Sequence, residues 1–392
     1  MITVAEAQAH LLALARPARP ETIPLAQAAG RWMIDTATAR RDHPPFDAAA
    51  MDGYAVQGTP QPGASFTVIG EAGAGQAYRG HLAPDEAVRI FTGAPVPQGA
   101  TRVIIQEDVI RDGQRITLRA GLDTATHIRA RGQDFAAGSG LAPRRLRPVD
   151  LALLAAMNIP AVTVARRPVV AIVATGDELV VPGDTPRDDQ IIASNAYALL
   201  PMAAEAGAIV RHLPLARDRM EDLSAVLAMT EGADLVVTIG GASVGDHDLV
   251  ARAVAAGDGN LSFHRVALRP GKPLMAGTFR SAVFLGLPGN PVSAIVCAHL
   301  FMLPLIRSMQ GSNAPLPTHA RARLASPTGP AGPRAHYMRA KLSPGVDLPL
   351  IAPFANQDSA LLTTLSDADA LLIRPLGDAA RTAGEVVEFL PI

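Results

Sequence analysis

The stretch 235–248, LVVTIGGASVGDHD, constrains the fold more than any other part of the chain. It begins as a run of apolar and β-branched residues, which predicts a buried strand, and it breaks at Gly240 and Gly241. Two consecutive glycines let the backbone turn sharply and let a ligand come close to main-chain N–H groups. Ser243 and Asp248 follow on the same loop. A strand that ends in such a loop is typical of a binding site.

The chain around this stretch alternates between short apolar runs and helical patterns. From Pro168 onward, helical patterns occur near residues 196–205 and 223–229, with β-branched runs between them. This order predicts right-handed βαβ units and a parallel sheet. Ligands of such sheets bind at the carboxyl ends of the strands. The loops TGDE, GGASVGDHD and GLPGNP each follow a predicted strand, so we expect them to meet at one edge of the sheet.

The rest of the chain predicts further helices and two β-rich parts. Helical spacing covers residues 4–15, 25–34 and 149–158. Between residues 65 and 119, short β-branched runs separated by Gly or Pro predict a small all-β module. The tail contains the runs HYMRAKL, ALLIRPL and EVVEFL, which predict a terminal β domain. A length of 392 residues agrees with several domains, because single cores rarely exceed roughly 300 residues.

Charge and cysteine content exclude several classes of function. The net charge is −1 and no long basic run occurs, which argues against non-specific nucleic-acid binding. A single cysteine, Cys297, excludes an internal disulfide and a cysteine-rich zinc site, and it favours a cytoplasmic location. The most apolar window, 294–306, is shorter than the roughly 20 residues that a membrane span needs. We therefore predict no membrane segment.

Carboxylates follow two of the predicted strands. Asp177 and Glu178 come after the first, and Asp246 and Asp248 come after the second. Carboxylate oxygens at one sheet edge suit Mg²⁺ that is held jointly with substrate phosphates. The alternative is that Asp177 and Glu178 cap the following helix. Spacing alone leaves both interpretations open.

Two further turns have the chemistry of anion sites. The turn GLPGNP precedes a helical run, so its backbone donors can hold a phosphate, although a plain tight turn has the same sequence. The turn RPGKP carries Arg269 and Lys272, which can bind an oxyanion or can lie in a solvated loop. No nucleophile and base occur at the spacing of covalent catalysis, so electrostatic and metal-assisted chemistry is the better hypothesis.

Taken together, the motifs resemble one known family. In order, they are PPFDAAAMDGYA, TGAPVP, RGQD, TGDEL, Ser194-Asn195, GGASVGDHD, RPGKP and GLPGNPVSA. This ordered set resembles the molybdopterin molybdenumtransferases, which are MoeA-type molybdenum insertases related to the C-terminal part of gephyrin. The resemblance covers the chain from about residue 1 to residue 392.

The resemblance implies a multidomain α/β and β fold. Its centre is a doubly wound α/β domain of the molybdopterin-binding type, accompanied by a small β module, a segmented N-terminal α/β domain and a C-terminal β-barrel. The implied boundaries are residues 1–46 with 134–167 for domain I, which dimerises, 47–133 for domain II, 168–312 for domain III and 313–392 for domain IV.

The resemblance also implies an activity and partners. Family members take adenylylated molybdopterin and molybdate, cleave the phosphoanhydride with Mg²⁺, and release molybdenum cofactor and AMP. They are homodimers, and molybdopterin adenylyltransferase and downstream molybdoenzyme maturation proteins are the candidate protein partners. Two alternatives stay open, namely a molybdopterin adenylyltransferase and a non-catalytic scaffold like gephyrin.

Residue by residue, the resemblance assigns four sets. The catalytic set is Asp52, Asp134, Glu178, Asp218 and Asp248, of which Glu178 and Asp248 would hold the metal. The set that contacts the pterin nucleotide is Thr92, Thr175, Gly176, Asp177, Ser194, Asn195, Gly240, Gly241, Ser243, Pro288, Asn290 and Pro291. The molybdate set is Arg269, Lys272, Pro273, Arg339 and Ser359. Asp52, Thr92 and Asp134 would reach the cleft from the other subunit.

The sequence departs from the family pattern at two places. Ala48-Ala49 stands where relatives often carry Asn-Ser, so any polar contact from these positions is lost. Arg269 stands where lysine is common, which keeps the charge but changes its geometry.

Overall fold

The structure, a computed structural model, describes residues 1–241 and 249–392. The described chain forms two compact units. One unit joins Met1–Glu21 to Ala165–Ile392, and the other is Thr22–Val164.

The larger unit is built on a six-stranded sheet. The spatial order of its strands is Ile209–His212, Val169–Ala174, Leu235–Ile239, Ala282–Leu287, Pro273–Phe279 and Gly259–Arg265. The first four strands are parallel, whereas Pro273–Phe279 runs antiparallel to both of its neighbours, so that Gly259–Arg265 points in the same direction as the first four. The predicted parallel sheet is confirmed for the first four strands, and it is extended on one side by an antiparallel pair. The reason is local, because Pro273–Phe279 and Ala282–Leu287 are joined by a two-residue turn, which permits only an antiparallel pair.

Alternating residues of this sheet bury opposite faces. Ile172 and Val237 belong to one hydrophobic core, whereas Val173 and Val236 belong to another on the other face. Because both faces of the sheet are buried, the sequences of these strands are continuous apolar runs. The sheet is thus doubly wound, as the sequence predicts. The helices of this unit are Val4–Ala13, Asn195–Glu205, Met220–Ala228, Leu249–Ala256, Pro291–Cys297, Leu303–Met309 and Leu362–Ser366.

One helical stretch is long and apolar enough, by length and composition, to cross a membrane. It is Pro291–Met309, with a mean hydropathy of 1.7 over its most apolar window. Of that window, 78% is buried inside the protein, and its residues belong to the core of the larger unit. Cys297 lies in this stretch and is fully buried, so it is a core thiol.

The C-terminal part closes into a barrel of five strands. They follow the order Ala335–Ser343, Leu350–Pro353, Ala320–Leu324, Val386–Pro391 and Ala370–Arg374. The barrel closes because the last strand pairs back onto Ala335–Ser343. The short strand Leu268–Arg269 adds to the same strand in parallel. This attachment fixes the RPGKP turn beside the barrel.

The smaller unit contains the predicted β module. Its six-stranded sheet has the order Arg102–Ile105, Gly53–Val56, Glu86–Ile90, Ser65–Ala72, Arg115–Leu118 and Val109–Asp112. A second sheet is built mainly from this unit, in the order Pro20–Pro24, Ala161–Ala165, Trp32–Met33 and Arg144–Arg145. The remaining short strands are Ala37–Thr38 paired with Gly140–Leu141 and Ala48–Ala49 paired with Ile128–Arg129, and the helix is Pro148–Ala156.

Two local predictions in this unit have clear outcomes. The predicted helix at 25–34 is wrong, because the chain forms a 3-10 turn at Leu25–Gln27 and a strand at Trp32–Met33. Gly30, with φ +73°, turns the backbone between them in a conformation that a helix does not contain. The predicted helix at 149–158 is confirmed as Pro148–Ala156, with proline in its first turn.

Candidate functional site

A cavity lies at the carboxyl ends of three adjacent parallel strands in the larger unit. Its volume is about 390 Å³, and the strands Val169–Ala174, Leu235–Ile239 and Ala282–Leu287 all end at it. The predicted site residues in its lining are Thr175, Gly176, Glu178, Ser194, Asn195, Asp218, Gly240, Gly241, Pro273, Pro288, Asn290 and Pro291. Leu179, Ile191 and Ile192 also line it, and their apolar side chains gave no signal in the sequence. The loops TGDE, GG and GLPGNP therefore meet at one sheet edge, as expected.

The Gly-Gly turn packs so closely that only glycine fits. Gly240 and Gly241 have φ values of +91° and +65°. A Cβ on Gly240 would lie 2.5 Å from the carbonyl oxygen of Thr175, and one on Gly241 would lie 2.3 Å from Cγ2 of Val250. Both the dihedral angle and the space exclude larger residues. The predicted residues Ser243 and Asp248, with Asp246, lie outside the described residues.

Acidic residues gather at the rim of this cavity. The carboxylate of Glu178 lies over Gly176, since a Cβ on that glycine would be 2.5 Å from Oε2 of Glu178. The backbone N–H of Asp218 donates to Oδ1 of Asp177 at 3.2 Å. Burial, followed by repulsion from the Asp177 and Glu178 carboxylates, raises the pKa of Asp218. The raised pKa means that the ionised form of Asp218 is less favourable here than in water, because of its burial first and of the two neighbouring carboxylates second.

The alternative that Asp177 and Glu178 cap the following helix is wrong. Residues Leu179–Val180 form a short strand that pairs with Ile191–Ile192, and the next helix starts only at Asn195. Instead of capping, the loop is held by Arg217, whose guanidinium donates to the carbonyl oxygens of Asp177 and Leu179 at 2.8 and 3.3 Å. Arg217 was not singled out from the sequence.

The donor chemistry of the rim fits a hard cation such as Mg²⁺. Glu178 and Asp218 offer carboxylate oxygens, which are the ligands that Mg²⁺ prefers. Within residues 1–241 and 249–392, no group of three His, Cys, Asp or Glu side chains is arranged to hold a metal by itself. The described residues thus supply part of a ligand set, which substrate phosphates and the remaining loop would have to complete.

The turn 288–291 connects this cavity with the C-terminal barrel region. The side-chain amide of Asn290 donates to Oγ of Ser359 at 3.0 Å, and the N–H of Val292 donates to the Ser359 carbonyl oxygen at 3.1 Å. On the other side, the amide of Asn195 donates to the Gly289 carbonyl oxygen at 2.7 Å. Ser359, a predicted molybdate residue, is therefore fixed directly beside the predicted nucleotide residue Asn290.

Arg339, another residue of the predicted molybdate set, is a buried cation near this contact. It is 1% exposed, and its guanidinium donates to the carbonyl oxygens of Leu361 and Asn356 at 3.2 and 3.4 Å. Among the described residues, no carboxylate lies within ion-pairing distance of it. Burial without a paired carboxylate lowers the pKa of Arg339. A neighbouring anion would relieve this cost.

The RPGKP turn lies against the same core. Gly271, with φ +115°, packs on Cys297, because a Cβ there would be 2.5 Å from Sγ. Arg269 is exposed and Lys272 is half-buried. Over the part of the chain that the structure describes, neither side chain makes a hydrogen bond or an ion pair. Pro273 lines the cavity of about 390 Å³.

The smaller unit holds the remaining predicted residues. Asp52 Oδ1 accepts from the backbone N–H and the hydroxyl of Thr92 at 2.7 and 2.8 Å. These two hydrogen bonds lower the pKa of Asp52, and the bond from the backbone N–H makes the larger contribution. Asp134 is exposed, and its backbone N–H donates to the His43 carbonyl oxygen at 3.0 Å. The structure thus joins Asp52 to Thr92, whereas Asp134 is held separately.

Arg89 braces the Asp52 loop, and the sequence did not single it out. Its guanidinium lies over the rings of Tyr54 and Phe91, at 5.0 and 4.8 Å from their centroids. It also donates to the Gly53 carbonyl oxygen at 3.1 Å. The two aromatic rings and the carbonyl oxygen together hold the guanidinium in one orientation. The only sequence signal is one arginine in the strand VRIF.

Ala48-Ala49 has a structural explanation. Both residues are buried, at 4% and 0% exposure, and they form a strand with Ile128–Arg129. Small apolar side chains suit this position in the core, so the pair does not face a ligand within this unit.

We expect Thr92→Val to raise the pKa of Asp52. The valine keeps the shape and the backbone N–H but removes the hydroxyl donor, which is the smaller of the two bonds that favour the ionised carboxylate. The stabilisation of the ionised form is present above the ordinary pKa of aspartate and is lost as the pH falls through the lowered value. Carbon-13 NMR titration of the Asp52 carboxyl group measures its pKa in both proteins. Thr101→Val, in the same unit, is the control, and an unchanged Asp52 pKa in Thr92→Val would contradict the assignment.

Three family descriptions match successive parts of the chain. Residues 2–158 match the MoeA N-terminal region (domain I and II), residues 171–308 match a probable molybdopterin binding domain, and residues 321–392 match the MoeA C-terminal region (domain IV). A doubly wound unit with a glycine turn, flanked by these two regions, defines a protein of the MoeA class.

Whole-chain relatives agree with this class. The chain is 33% identical to a molybdopterin molybdenumtransferase of Nostoc sp. over 95% of its own length and 88% of the relative. It is 31% identical to the molybdopterin molybdenumtransferase of Bacillus subtilis over 100% and 94%. The chain therefore belongs to the molybdopterin molybdenumtransferase family. A solved molybdopterin biosynthesis MoeA protein from Pyrococcus horikoshii has 29% identity and a TM-score of 0.83, covering 100% of this chain and 99% of that one.

Proposed function

We propose that this protein inserts molybdenum into adenylylated molybdopterin, with cleavage of the phosphoanhydride bond and release of AMP and molybdenum cofactor. The observation that carries the proposal is the contact between Asn290 and Ser359. It joins an acid-rimmed cavity, suited to a metal-bound pterin nucleotide, to a region whose cations have no carboxylate partner among the described residues and so suit molybdate. Both substrates of an insertase need such neighbouring sites.

The cavity at the strand ends is the proposed nucleotide site. Gly240 and Gly241 form its floor, because their missing side chains let a ligand approach the backbone. Asn195 and Asn290 hold the two sides of the 288–291 turn and so fix the width of the opening. Leu179, Ile191 and Ile192 give the apolar wall that a flat pterin or adenine ring requires.

The carboxylates at the rim are the proposed Mg²⁺ ligands. Glu178 and Asp248, of which Asp248 lies outside the described residues, would hold the ion, and Asp218 is a described neighbour whose pKa is raised by burial and then by the Asp177 and Glu178 carboxylates. When bound, Mg²⁺ neutralises phosphate charge in the cleavage of the anhydride. Asp218 lines the same cavity, so we assign proton transfer during the cleavage to its carboxyl group.

The cations near Ser359 are the proposed molybdate site. Arg269, Lys272 and Arg339 have no carboxylate partners among the described residues, so their charge remains available to a tetrahedral dianion. The Ser359 hydroxyl, held by Asn290, supplies a neutral donor, and Pro273 is shared with the nucleotide cavity. Because Pro273 belongs to both sites, the proposed molybdate site adjoins the proposed nucleotide site.

We further propose a cytoplasmic homodimer of four domains, with residues 1–46 and 134–167, 47–133, 168–312 and 313–392 as domains I to IV. Asp52, Thr92 and Asp134 then complete the cleft of the partner subunit. Molybdopterin adenylyltransferase is the proposed supplier of substrate.

Mixing inactive Asp52→Asn and Glu178→Gln proteins tests whether the two subunits share the site. Recovered AMP release in the mixed dimers is expected, and no recovery would refute it.

An adenylyltransferase is the second candidate, because the doubly wound unit matches a probable molybdopterin binding domain. ATP dependence separates the two. The purified protein should release AMP from adenylylated molybdopterin without ATP, and it should not adenylylate molybdopterin when ATP is given. ATP consumption with molybdopterin would support the second candidate. A scaffold like gephyrin would show neither reaction.

A further inference from the structure

The side chain of Gln357 is bound almost entirely to one residue, Arg339. Its Oε1 accepts from the backbone N–H and from Nε of Arg339, at 3.0 and 3.4 Å. Its Nε2 donates to the carbonyl oxygens of Arg339 and Phe354, at 3.0 and 2.8 Å. A side-chain amide accepts two hydrogen bonds and donates two, so its capacity is fully used. Gln357 therefore fixes both the backbone and the side chain of Arg339, and the sequence did not single it out.

The guanidinium of Arg339 also binds the loop that carries Ser359. It donates to the carbonyl oxygens of Asn356 and Leu361, at 3.4 and 3.2 Å, and these two residues lie on either side of Ser359 in the chain. Arg339 is 1% exposed, so it is enclosed by these contacts. Because Arg339 and Ser359 both belong to the proposed molybdate set, the bonds of Gln357 help to fix the position of one relative to the other.

Every acceptor of this guanidinium is neutral in the part of the chain that the structure describes. The acceptors are one amide oxygen and two backbone carbonyl oxygens. Asp358 is the carboxylate of the same loop, but its Oδ1 accepts from the Ala360 N–H at 2.9 Å and it makes no ion pair with Arg339. Burial lowers the pKa of Arg339, and the charge of Asp358 offsets part of this effect from a longer distance. The guanidinium is thus oriented by close contacts that do not neutralise it.

The substitution Gln357→Glu would change this balance. A carboxylate has nearly the same shape as the amide, but it would place a negative charge beside Nε of Arg339. A charged acceptor binds a guanidinium more strongly than a neutral one, and it reduces the attraction that the cation exerts on another anion. The amide therefore combines two properties, since it orients the arginine and leaves its charge uncompensated.

We propose that Gln357 is a positioning residue of the molybdate site, which holds Arg339 through neutral hydrogen bonds so that the charge of the guanidinium acts on the oxyanion. This inference rests on the proposed function, because it takes the anion of that function as the ligand. Gln357 touches no substrate and acts through Arg339. A tetrahedral dianion is bound best by a cation that is fixed in direction and has no carboxylate partner.

The test measures molybdate binding to the full-length protein by calorimetry, at neutral pH and without nucleotide. Gln357→Glu should weaken molybdate binding at least about tenfold, because a negative charge beside the guanidinium opposes a dianion. Gln357→Met has a similar length, removes all four hydrogen bonds and adds no charge, so the loss of orientation should weaken binding only about threefold. In the AMP-release assay, the KM for molybdate should rise in the same order, whereas kcat at saturating molybdate should stay near the wild-type value.

Asn356→Asp is the matched control for an added negative charge in the same loop. The side chain of Asn356 is exposed, and its Oδ1 accepts from the Asp358 N–H at 3.0 Å, a bond that aspartate keeps. An exposed charge is screened by solvent and salt, so this substitution should weaken molybdate binding by less than about threefold. Melting curves identify a variant that fails to fold, and Gln357→Met, which introduces no charge, then carries the test.

Two results would overturn the inference. One is wild-type molybdate affinity in Gln357→Glu or in Gln357→Met. The other is an equal loss of affinity in both variants, because a merely structural residue would act through the fold and not through its charge. Wild-type protein that binds no molybdate would instead contradict the molybdate site of the proposed function, so the two failures give different results.

Discussion

Glu178→Gln is expected to lower AMP release from adenylylated molybdopterin by about 100-fold or more, which corresponds to roughly 2.7 kcal/mol of transition-state stabilisation. The amide keeps the size of the side chain, which lies over Gly176, but it loses the charge that would hold Mg²⁺. Loss of metal-based charge stabilisation typically costs several kcal/mol. The fold should survive, because glutamine is nearly isosteric. Single-turnover AMP release at saturating substrate measures the catalytic rate, and the melting temperature shows whether the fold survives.

The matched control for this substitution is Glu205→Gln. Glu205 is exposed at the end of the helix Asn195–Glu205 and does not line the cavity. It should release AMP at the wild-type rate. Raised Mg²⁺ should recover part of the activity of Glu178→Gln if the lost step is metal binding. Wild-type turnover by Glu178→Gln would remove Glu178 from the mechanism.

Gly240→Ala is expected to be destabilising and to abolish nucleotide binding. A Cβ at this position would lie 2.5 Å from the Thr175 carbonyl oxygen, so one of two buried strand ends must move. The φ of +91° adds strain for any residue with a side chain. Together, these effects should cost roughly 1–3 kcal/mol or more. Chemical denaturation measures the loss of stability, and equilibrium binding of the pterin nucleotide measures the loss of the site.

Gly232→Ala separates the two causes. Gly232 has φ +75° and lies in the turn before the strand Leu235–Ile239, but a Cβ there would meet nothing within 4 Å. Gly232→Ala introduces only the dihedral strain and no steric clash. Its loss of stability should therefore be smaller than that of Gly240→Ala, and its nucleotide binding should be normal. Equal effects of the two substitutions would show that the close approach to Thr175 is unimportant.

Sequence reasoning located the strand-end loops because each contains local information. The strand Leu235–Ile239 is apolar and β-branched, and Gly240 marks its end, so periodicity and turn chemistry are sufficient. The alternation with helices then fixes which strand ends share an edge. The family resemblance added the roles of individual residues, which periodicity does not contain.

Contacts between distant parts of the chain were beyond sequence reasoning. The bond of Asn290 to Ser359 spans 69 positions, and the pairing of His336 with Arg269 on one side and Arg374 on the other depends on strand register in a closed barrel. Neither register nor barrel closure is encoded in a local pattern. The helix predicted at 25–34 failed for a related reason, since strand pairing of Trp32–Met33 in the tertiary structure outweighed helical spacing.

We expect this one protein to couple cleavage of the adenylate to molybdenum insertion. The most direct test incubates the purified protein with adenylylated molybdopterin and Mg²⁺, with and without molybdate, and measures AMP and pterin-bound molybdenum in the same sample. Both products should appear in equal amounts and only when molybdate is present. AMP release that is independent of molybdate, or AMP without pterin-bound molybdenum, would contradict it.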